Sequence, residues 1–429
     1  MFGQKTISLS SPAAPGAQTV AQGSQSAPPK AKQPSAPSRL VTMDEAIALA
    51  LANSPAIKAT RTLIQQNQAQ EVSANLRPNP VLSGDSQFIP VFSPSQFPEN
   101  VEQYDVGLGY TFERGRKRQN RLRAARDQTA VTRSQVADTE RTLTFNVAQQ
   151  FINALLAKSN LQFAEDNLKD FQQTVEISQQ RYKAGDISEG DYLKIKLELL
   201  QFQTDVSSAR VARVQALGTL RQLLGYASVP RGYDVAGDLA YQPLTSKLED
   251  LQAKALSERP DLRAARLGIT AAESQVSLAR ANGKQDVNLI GNYSHTPGLN
   301  SLSWFVSIPL PFFDRNQGEI ERTRYALTQA ELNEKAGQDT VMTDVTNAYE
   351  TASTNQEVVE LYTSGYLKEA EDSRDISAYA YKGGAATLLD YLDAERSYRA
   401  TQLAYRQALA DYMLSLEQLR QAVGSRSLP

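Results

Sequence analysis

The sequence contains no cysteine, which excludes disulfides, thiolate metal sites, cysteine nucleophiles and an acylated N-terminal cysteine together. It has one histidine, His295, with no second strong donor nearby, so neither a histidine metal centre nor a catalytic triad is expected. A Gly-rich phosphate loop is also missing. No apolar run reaches about 18 residues, which rules out a transmembrane helix but not a transmembrane barrel, whose alternating strands escape hydropathy averages. Neither sign of charge is in excess: 45 Lys and Arg stand against 47 Asp and Glu, so nothing electrostatic points to nucleic acid. Residues 1–20 hold no apolar stretch of signal-peptide length, and the expectation is that such a signal has been removed or lies upstream.

What is present is a duplication. Tyr182-Lys-Ala-Gly-Asp-Ile-Ser188 returns as Tyr381-Lys-Gly-Gly-Ala-Ala-Thr387, an offset of 199 (381 less 182). At both places a long helical pattern runs in, glycine turns the chain, and a second helical pattern carrying Asp-Tyr-Leu runs out. Ala50-Leu51 and Pro55 recur as Ala255-Leu256 and Pro260 at an offset of 205 (255 less 50). Leu220-Arg-Gln222 recurs as Leu419-Arg-Gln421.

Taken in order, residues 1–41 are crowded with Ser, Pro and Ala and hold little that could offset the entropy of ordering, so they are expected to be a disordered lead-in. The first repeat spans 42–225. Thr42 with Glu45 resembles a capping box, and helix is expected past a kink at Pro55 to about Leu76. The period then drops to 2. Strands are expected at about 81–89 and 104–112, separated by a Pro- and Ser-rich loop from Pro90 to Gln103. On the second strand Tyr104, Val106, Leu108, Tyr110 and Phe112 share one face, opposite Asp105, Gly107, Gly109 and Thr111. Helix resumes for about 70 residues, or roughly 105 Å. Val147, Ala154, Leu161, Leu168, Val175 and Tyr182 keep coiled-coil spacing along it.

After an irregular connector at 226–245, the second repeat spans 246–424 and leaves 425–429 as a tail. Its strands are expected at about 286–295 and 301–310, with Leu302, Trp304, Val306 and Ile308 on one apolar face. A continuous helix is expected from about 314 to 381, then the second tip at 381–387, then a last helix to about Val423. Tyr391, Tyr398, Tyr405, Tyr412 and Leu419 hold its heptad.

Each repeat is thus helix, strand, strand, long helix, turn, helix. Four strands cannot close a barrel, so the pattern implies a trimer of about 12 strands, standing on a long α-helical tunnel. The fold class is therefore mainly α with a membrane β-barrel portion. Tyrosines and the single Trp304 suit the barrel's interfacial girdles, the alternative for Trp304 being that it packs a soluble sheet. Arg114, Arg116, Lys117, Arg118, Arg121 and Arg123 mark the junction of barrel and helices, where pairing between chains or a solvated face are the two readings. His295 is expected in an extracellular loop.

These repeats, the Tyr-x-x-Gly tips and the run Leu388-Leu-Asp-Tyr-Leu-Asp-Ala394 resemble the TolC-like outer membrane factors over about residues 42–424. Pro78-Asn-Pro80 and Pro309-Leu-Pro-Phe-Phe-Asp-Arg-Asn-Gln-Gly318 resemble their CzcC-like branch, associated with heavy-metal efflux. The resemblance implies a passive homotrimeric exit duct in the bacterial outer membrane, in contact with its lipid and with a long periplasmic portion. It implies no enzyme activity, no cofactor, a periplasmic adaptor, and an inner membrane transporter of the resistance-nodulation-division type. It places adaptor docking at Gly185, Ile187, Ser188, Gly384, Ala386 and Thr387. It also places a pore gate at Asp390 and Asp393, with Tyr381 touching Asp191. Where some members carry a latching arginine this chain has Ala386. Like charges in a ring of Asp390 and Asp393 are expected to raise their apparent pKa values. The alternative from another class is a soluble long coiled-coil scaffold, which has no use for an apolar strand face.

Overall fold

The computed structural model of the protein describes residues 39–88 and 102–427, all within the compact unit Pro37–Pro429. Thr42 starts the first helix, α1 (Met43–Asn53), by accepting a 3.3 Å bond from the Glu45 backbone. Only that half of the capping box forms, because the Glu45 carboxylate pairs with Arg39. Proline has no N–H to continue a helix, so the chain breaks at Ser54 and Pro55 opens α2 (Pro55–Ala74).

The lead-in expectation needs a correction at its end, its first 38 residues lying outside the description. Arg39–Val41 form strand β1, paired in parallel with Tyr233–Val235 inside the supposedly irregular connector. Val41, Tyr233 and Val235 are buried together against α1, and this burial holds two strands too short for a sequence period to show.

The main sheet comprises β2 (Val81–Gln87), β3 (Gln103–Phe112), β5 (Val287–Thr296) and β6 (Leu299–Ser307), with Tyr233–Val235 as β4. Its order is β2-β3-β5-β6 and every pairing is antiparallel, so the hairpins of the two repeats meet at β3 and β5. The expected strand end at Ile89 and the loop from Pro90 to Val101 lie outside the described residues, while Gln103, expected in that loop, already belongs to β3. Strand β6 stops at Ser307, short of the expected 310, because Pro309 and Pro311 cannot donate to a ladder. His295 lies in β5 rather than in a loop, with Nδ1 2.7 Å from Asn300 Oδ1.

Helix α3 (Lys117–Ala184) has 68 residues and so runs about 100 Å away from the sheet. It returns as α4 (Glu189–Leu224). The second repeat supplies α5 (Leu248–Glu258), α6 (Pro260–Asn282), α7 (Gln317–Leu361), α8 (Leu367–Lys382) and α9 (Leu388–Val423). Here the expected continuous helix is corrected. Between α7 and α8 the chain makes a wide turn at Tyr362–Tyr366, with Gly365 at φ +156°, a value that only glycine adopts without strain.

Two cores repeat along the helices. One gathers Val147, Phe151, Ala154, Leu220 and Leu224 beneath α1, and the other gathers Leu251, Leu262, Val345, Ala348 and Leu419. Heptad positions of α3 and α9 supply several of these residues, which is why that spacing was visible in the sequence.

Candidate functional site at the hairpin tips

The two tips are built alike. At the first, Gly185 takes φ +85°, its N–H donates to Tyr182 O at 3.1 Å, and Asp186 N–H donates to Arg181 O at 2.8 Å. At the second, Gly384 takes φ +76°, its N–H donates to Tyr381 O at 3.2 Å, and Ala385 N–H donates to Ala380 O at 2.8 Å. Both are Schellman ends, in which only glycine sits without strain at the left-handed position. Among the described residues nothing lies within 4 Å of where a Cβ would stand on either glycine, so both tips present bare backbone.

Each outgoing helix is capped by the next hydroxyl. Ser188 accepts from Asp191 N at 3.1 Å and donates to its carboxylate at 2.9 Å. Thr387 and Asp390 form a complete capping box, with Asp390 Oδ2 accepting from Thr387 N at 3.0 Å and Oγ1 at 2.6 Å. Those bonds hold the Asp390 carboxyl below the usual carboxylate range, so in the single chain its shift runs opposite to the rise expected of a charge ring. Asp393 is exposed one turn further on and lends charge to Arg396.

The tips differ in what covers them. Tyr182 and Tyr192 stack at 5.2 Å, and Tyr381 and Tyr391 stack at 5.5 Å. Tyr182 is 37% exposed, but Tyr381 is only 7% exposed, packed with Phe171, Ile195, Phe202, Leu388 and Leu392. Burial pushes the Tyr391 hydroxyl up to about 12. The Tyr381 hydroxyl is buried with no hydrogen-bond partner among the described residues.

The expected contact between Tyr381 and Asp191 is therefore not made within the chain. Asp191 is engaged by Ser188 and, at 3.5 Å, by Lys194. What reaches Tyr381 instead is Arg181 on α3, which donates through Nη1 to its carbonyl at 3.1 Å and sits 5.4 Å from its ring centroid. Sequence reasoning passed over Arg181. Its repeat counterpart is Ala380, and that break in the symmetry was the available signal. Ile187 and Ala386 are half-buried, while Ser188 and Thr387 are exposed.

Further up, α9 is braced to α4. Arg396 bonds Glu198 at 2.9 Å, and Arg399 reaches Asp205 as well as Glu198, 3.9 Å away. Glu395 is buried between α8, α9 and α3, and burial raises its carboxyl against the opposing pull of Arg374 and Arg399. Far from the tips, the positions expected to face lipid behave differently from a core. Tyr104, Val106, Leu108, Leu302 and Val306 are exposed, Tyr110 is half-buried, and Trp304 is 66% exposed; Ile308 lies just beyond β6 and is exposed too. The Leu82, Leu108, Gly291 and Trp304 row and the Gly84, Val106, Tyr293 and Leu302 row share that face. Ser83, Asn292, Ser303, Asp105, Ser294 and Ser301 lie on the other.

The outer membrane efflux protein family matches the chain over residues 46–226 and 251–425, one stretch in each repeat. The protein belongs to that family. It is similar to the cobalt-zinc-cadmium resistance protein CzcC of Cupriavidus metallidurans, 22% identical over 370 residues that cover 85% of each chain. To the cation efflux system protein CusC of Escherichia coli it is 24% identical over 381 residues, covering 85% of this chain and 81% of that one. A crystal structure of CusC superposes with a TM-score of 0.74, over 89% of this chain and 92% of that one, at 21% identity. The protein is thus a TolC-like outer membrane efflux channel, and its work is transport rather than catalysis. Its long helices and small sheet are the fold of such channels.

Proposed function

We propose that three copies of the chain close their sheets into one 12-stranded barrel in the outer membrane, with the helices forming a tunnel through the periplasm. The apolar sheet face carries this reading. Each described sheet offers β2 and β6 as edges, and these run in opposite directions, so β6 of one copy meets β2 of the next as another antiparallel pair. Three copies supply about 12 strands, inside the range of membrane barrels. A soluble scaffold would leave Trp304, Leu302 and Val306 in water for no gain.

The tips are the periplasmic mouth. Bare backbone at Gly185 and Gly384, flanked by Ile187, Ser188, Ala386 and Thr387, lets an adaptor hairpin approach closely. The adaptor joins the duct to an inner membrane transporter of the resistance-nodulation-division type. Asp390 and Asp393 repeat threefold around the mouth and attract cations. With CzcC and CusC as relatives, metal cations are the first cargo to test.

The deciding experiment joins oligomer mass in detergent with conductance in planar bilayers. Trimers that conduct support the duct. A monomer that fractionates away from membranes removes it and favours the scaffold.

A further inference from the structure

Where the barrel meets the helices, three chain junctions are pinned together. Asp286, just before β5, accepts from the Arg114 backbone at 2.9 Å and from Lys117 Nζ at 2.7 Å. Gly115, at φ +70°, lies so close to the Lys284 stem that a Cβ there would stand 2.8 Å from it. Asn316 at the head of α7 donates to Ala279 O at 2.7 Å, and Gly283 backs onto the Arg315 carbonyl.

An open pocket of about 1160 Å³ remains between these junctions. Arg114, Arg280, Lys284 and Arg315 line it together with Ile308, Leu310 and Phe312. Its cations are not consumed locally. Asp286 is engaged by Lys117 and Glu113 by Arg121, which leaves Arg114, Arg280 and Lys284 exposed and without a carboxylate among the described residues. Among the described residues the side chain of Arg315 donates only to the Pro311 carbonyl, at 3.1 Å.

The pocket also continues the apolar sheet face. Even-numbered residues of β3 and β6 carry that face; Arg114 follows Phe112 by two residues, and Ile308 and Leu310 follow Val306 by two and four, just past the strand ends. Leu310, Phe312 and Phe313 are exposed, the last at 94%. A greasy wall ending in unpaired cations matches one kind of molecule, an acyl chain ending in a phosphate.

We infer that this pocket binds an anionic glycerophospholipid of the periplasm-facing leaflet, its phosphate held by Arg114, Arg280 and Lys284 and its chains lying along Leu310 and Phe312. The inference rests on the barrel reading above. Three unpaired cations lining one pocket repel one another, and a bound phosphate relieves that repulsion while fixing the depth of the barrel in the bilayer.

The test is native mass spectrometry of the full chain released from micelles doped with phosphatidylglycerol or phosphatidylcholine. The protein is expected to retain phosphatidylglycerol preferentially, with the preference falling as salt is raised. The triple variant Arg114→Gln, Arg280→Gln, Lys284→Gln is expected to lose it by roughly 100-fold, on a scale of about fivefold per cation. Equal retention of the two lipids by the wild type overturns the proposal, as does a triple variant that retains phosphatidylglycerol unchanged. Displacement of the lipid by millimolar inorganic phosphate makes the site a free-anion site and overturns it too. Conductance of the same preparations separates the two readings. Protein that conducts without lipid preference removes only the lipid site, whereas protein that neither conducts nor floats with vesicles removes the barrel and the lipid site with it. If the triple variant does not assemble, the salt series on the wild type decides, and a preference that salt leaves unchanged overturns the proposal.

Discussion

Arg181 and Tyr381 join the two hairpins at their tips: the guanidinium donates to the tyrosine carbonyl at 3.1 Å and stands 5.4 Å from the ring centroid. The aromatic ring it covers is buried, and any movement that separates the two hairpins at this point breaks the contact. Together the bond and the cation–π contact contribute about 1–2 kcal/mol, which is roughly a 5- to 30-fold bias toward joined tips. Arg181→Ala is expected to raise the basal conductance of the isolated channel in planar bilayers, with trimer yield unchanged. A variant that conducts like the wild type would show that Arg181 does not hold the tip.

The α4–α9 brace makes a second, smaller contribution. Glu198 accepts from Arg396 and forms a longer ion pair with Arg399, and its side chain is only 13% exposed. Glu198→Gln is expected to favour opening by about 2- to 5-fold, in line with 0.5–1 kcal/mol for a partly exposed pair. The wild type should shift the same way in high salt and the variant less so. Equal salt responses would count against the brace.

Gly365 allows the break between α7 and α8. A Cβ there would meet nothing closer than Glu369 Oε1 at 3.8 Å, so Gly365→Ala is penalised by backbone strain alone, about 1–3 kcal/mol. Either the trimer melts at lower temperature or the helix straightens, and hydrogen exchange across Tyr362–Tyr366 tells which. No change in melting or exchange would mean that the turn tolerates a side chain and does not act as a hinge.

Glu395 ties hairpin packing to pH. Its folded pKa is raised by burial, so the stability it contributes is complete below the ordinary glutamate value near 4.3 and is lost as pH climbs through the raised value. The groups that bear on it are Arg374 on α8, Arg399 on its own helix, and the carboxylates Asp170 and Asp375. Glu395→Gln is expected to stabilise the second hairpin at neutral pH and to flatten its pH dependence in mild acid. A melting profile that keeps the wild-type slope would exclude Glu395 as its source.

Asp390 and Asp393, the proposed gate pair, should separate in their effects. Asp390 completes the capping box of Thr387 at the start of α9, so its bond to the Thr387 backbone is intact at neutral pH and is lost as acid protonates the carboxylate below its usual range. Asp390→Ala is expected to fray the start of α9 as well as change conduction, whereas Asp393→Asn should reduce block by polyvalent cations and leave the helix intact. If cation block survives both substitutions, the carboxylates are not the selectivity ring.

Much of this protein is legible without coordinates because its chemistry is periodic. Seven-residue spacing from Val147 to Tyr182 predicted α3, and α3 runs to Ala184. Alternation at Tyr104–Phe112 predicted β3 with its apolar face, which the structure leaves exposed. Expectations failed where a local pattern met a single residue with a veto. Gly365 breaks a stretch read as one continuous helix, and Pro309 stops β6 while the alternation runs on to Leu310. The strand Arg39–Val41 was hidden for another reason, since three residues carry no period and only burial against Tyr233–Val235 makes them a strand.

The repeated Tyr-Lys-x-Gly turn shows the division most plainly. Sequence alone determined that the two tips share one backbone, because a left-handed glycine after a helix is a local steric requirement that residues 182–188 and 381–387 meet identically. Only the tertiary structure decided that Tyr381 is buried, that Arg181 reaches it, and that Arg114, Arg280 and Lys284 face one pocket. Those facts depend on how helices distant in sequence are rotated and staggered against one another. A period along one helix says which face is buried; it does not say which side chain of another helix will lie across from it.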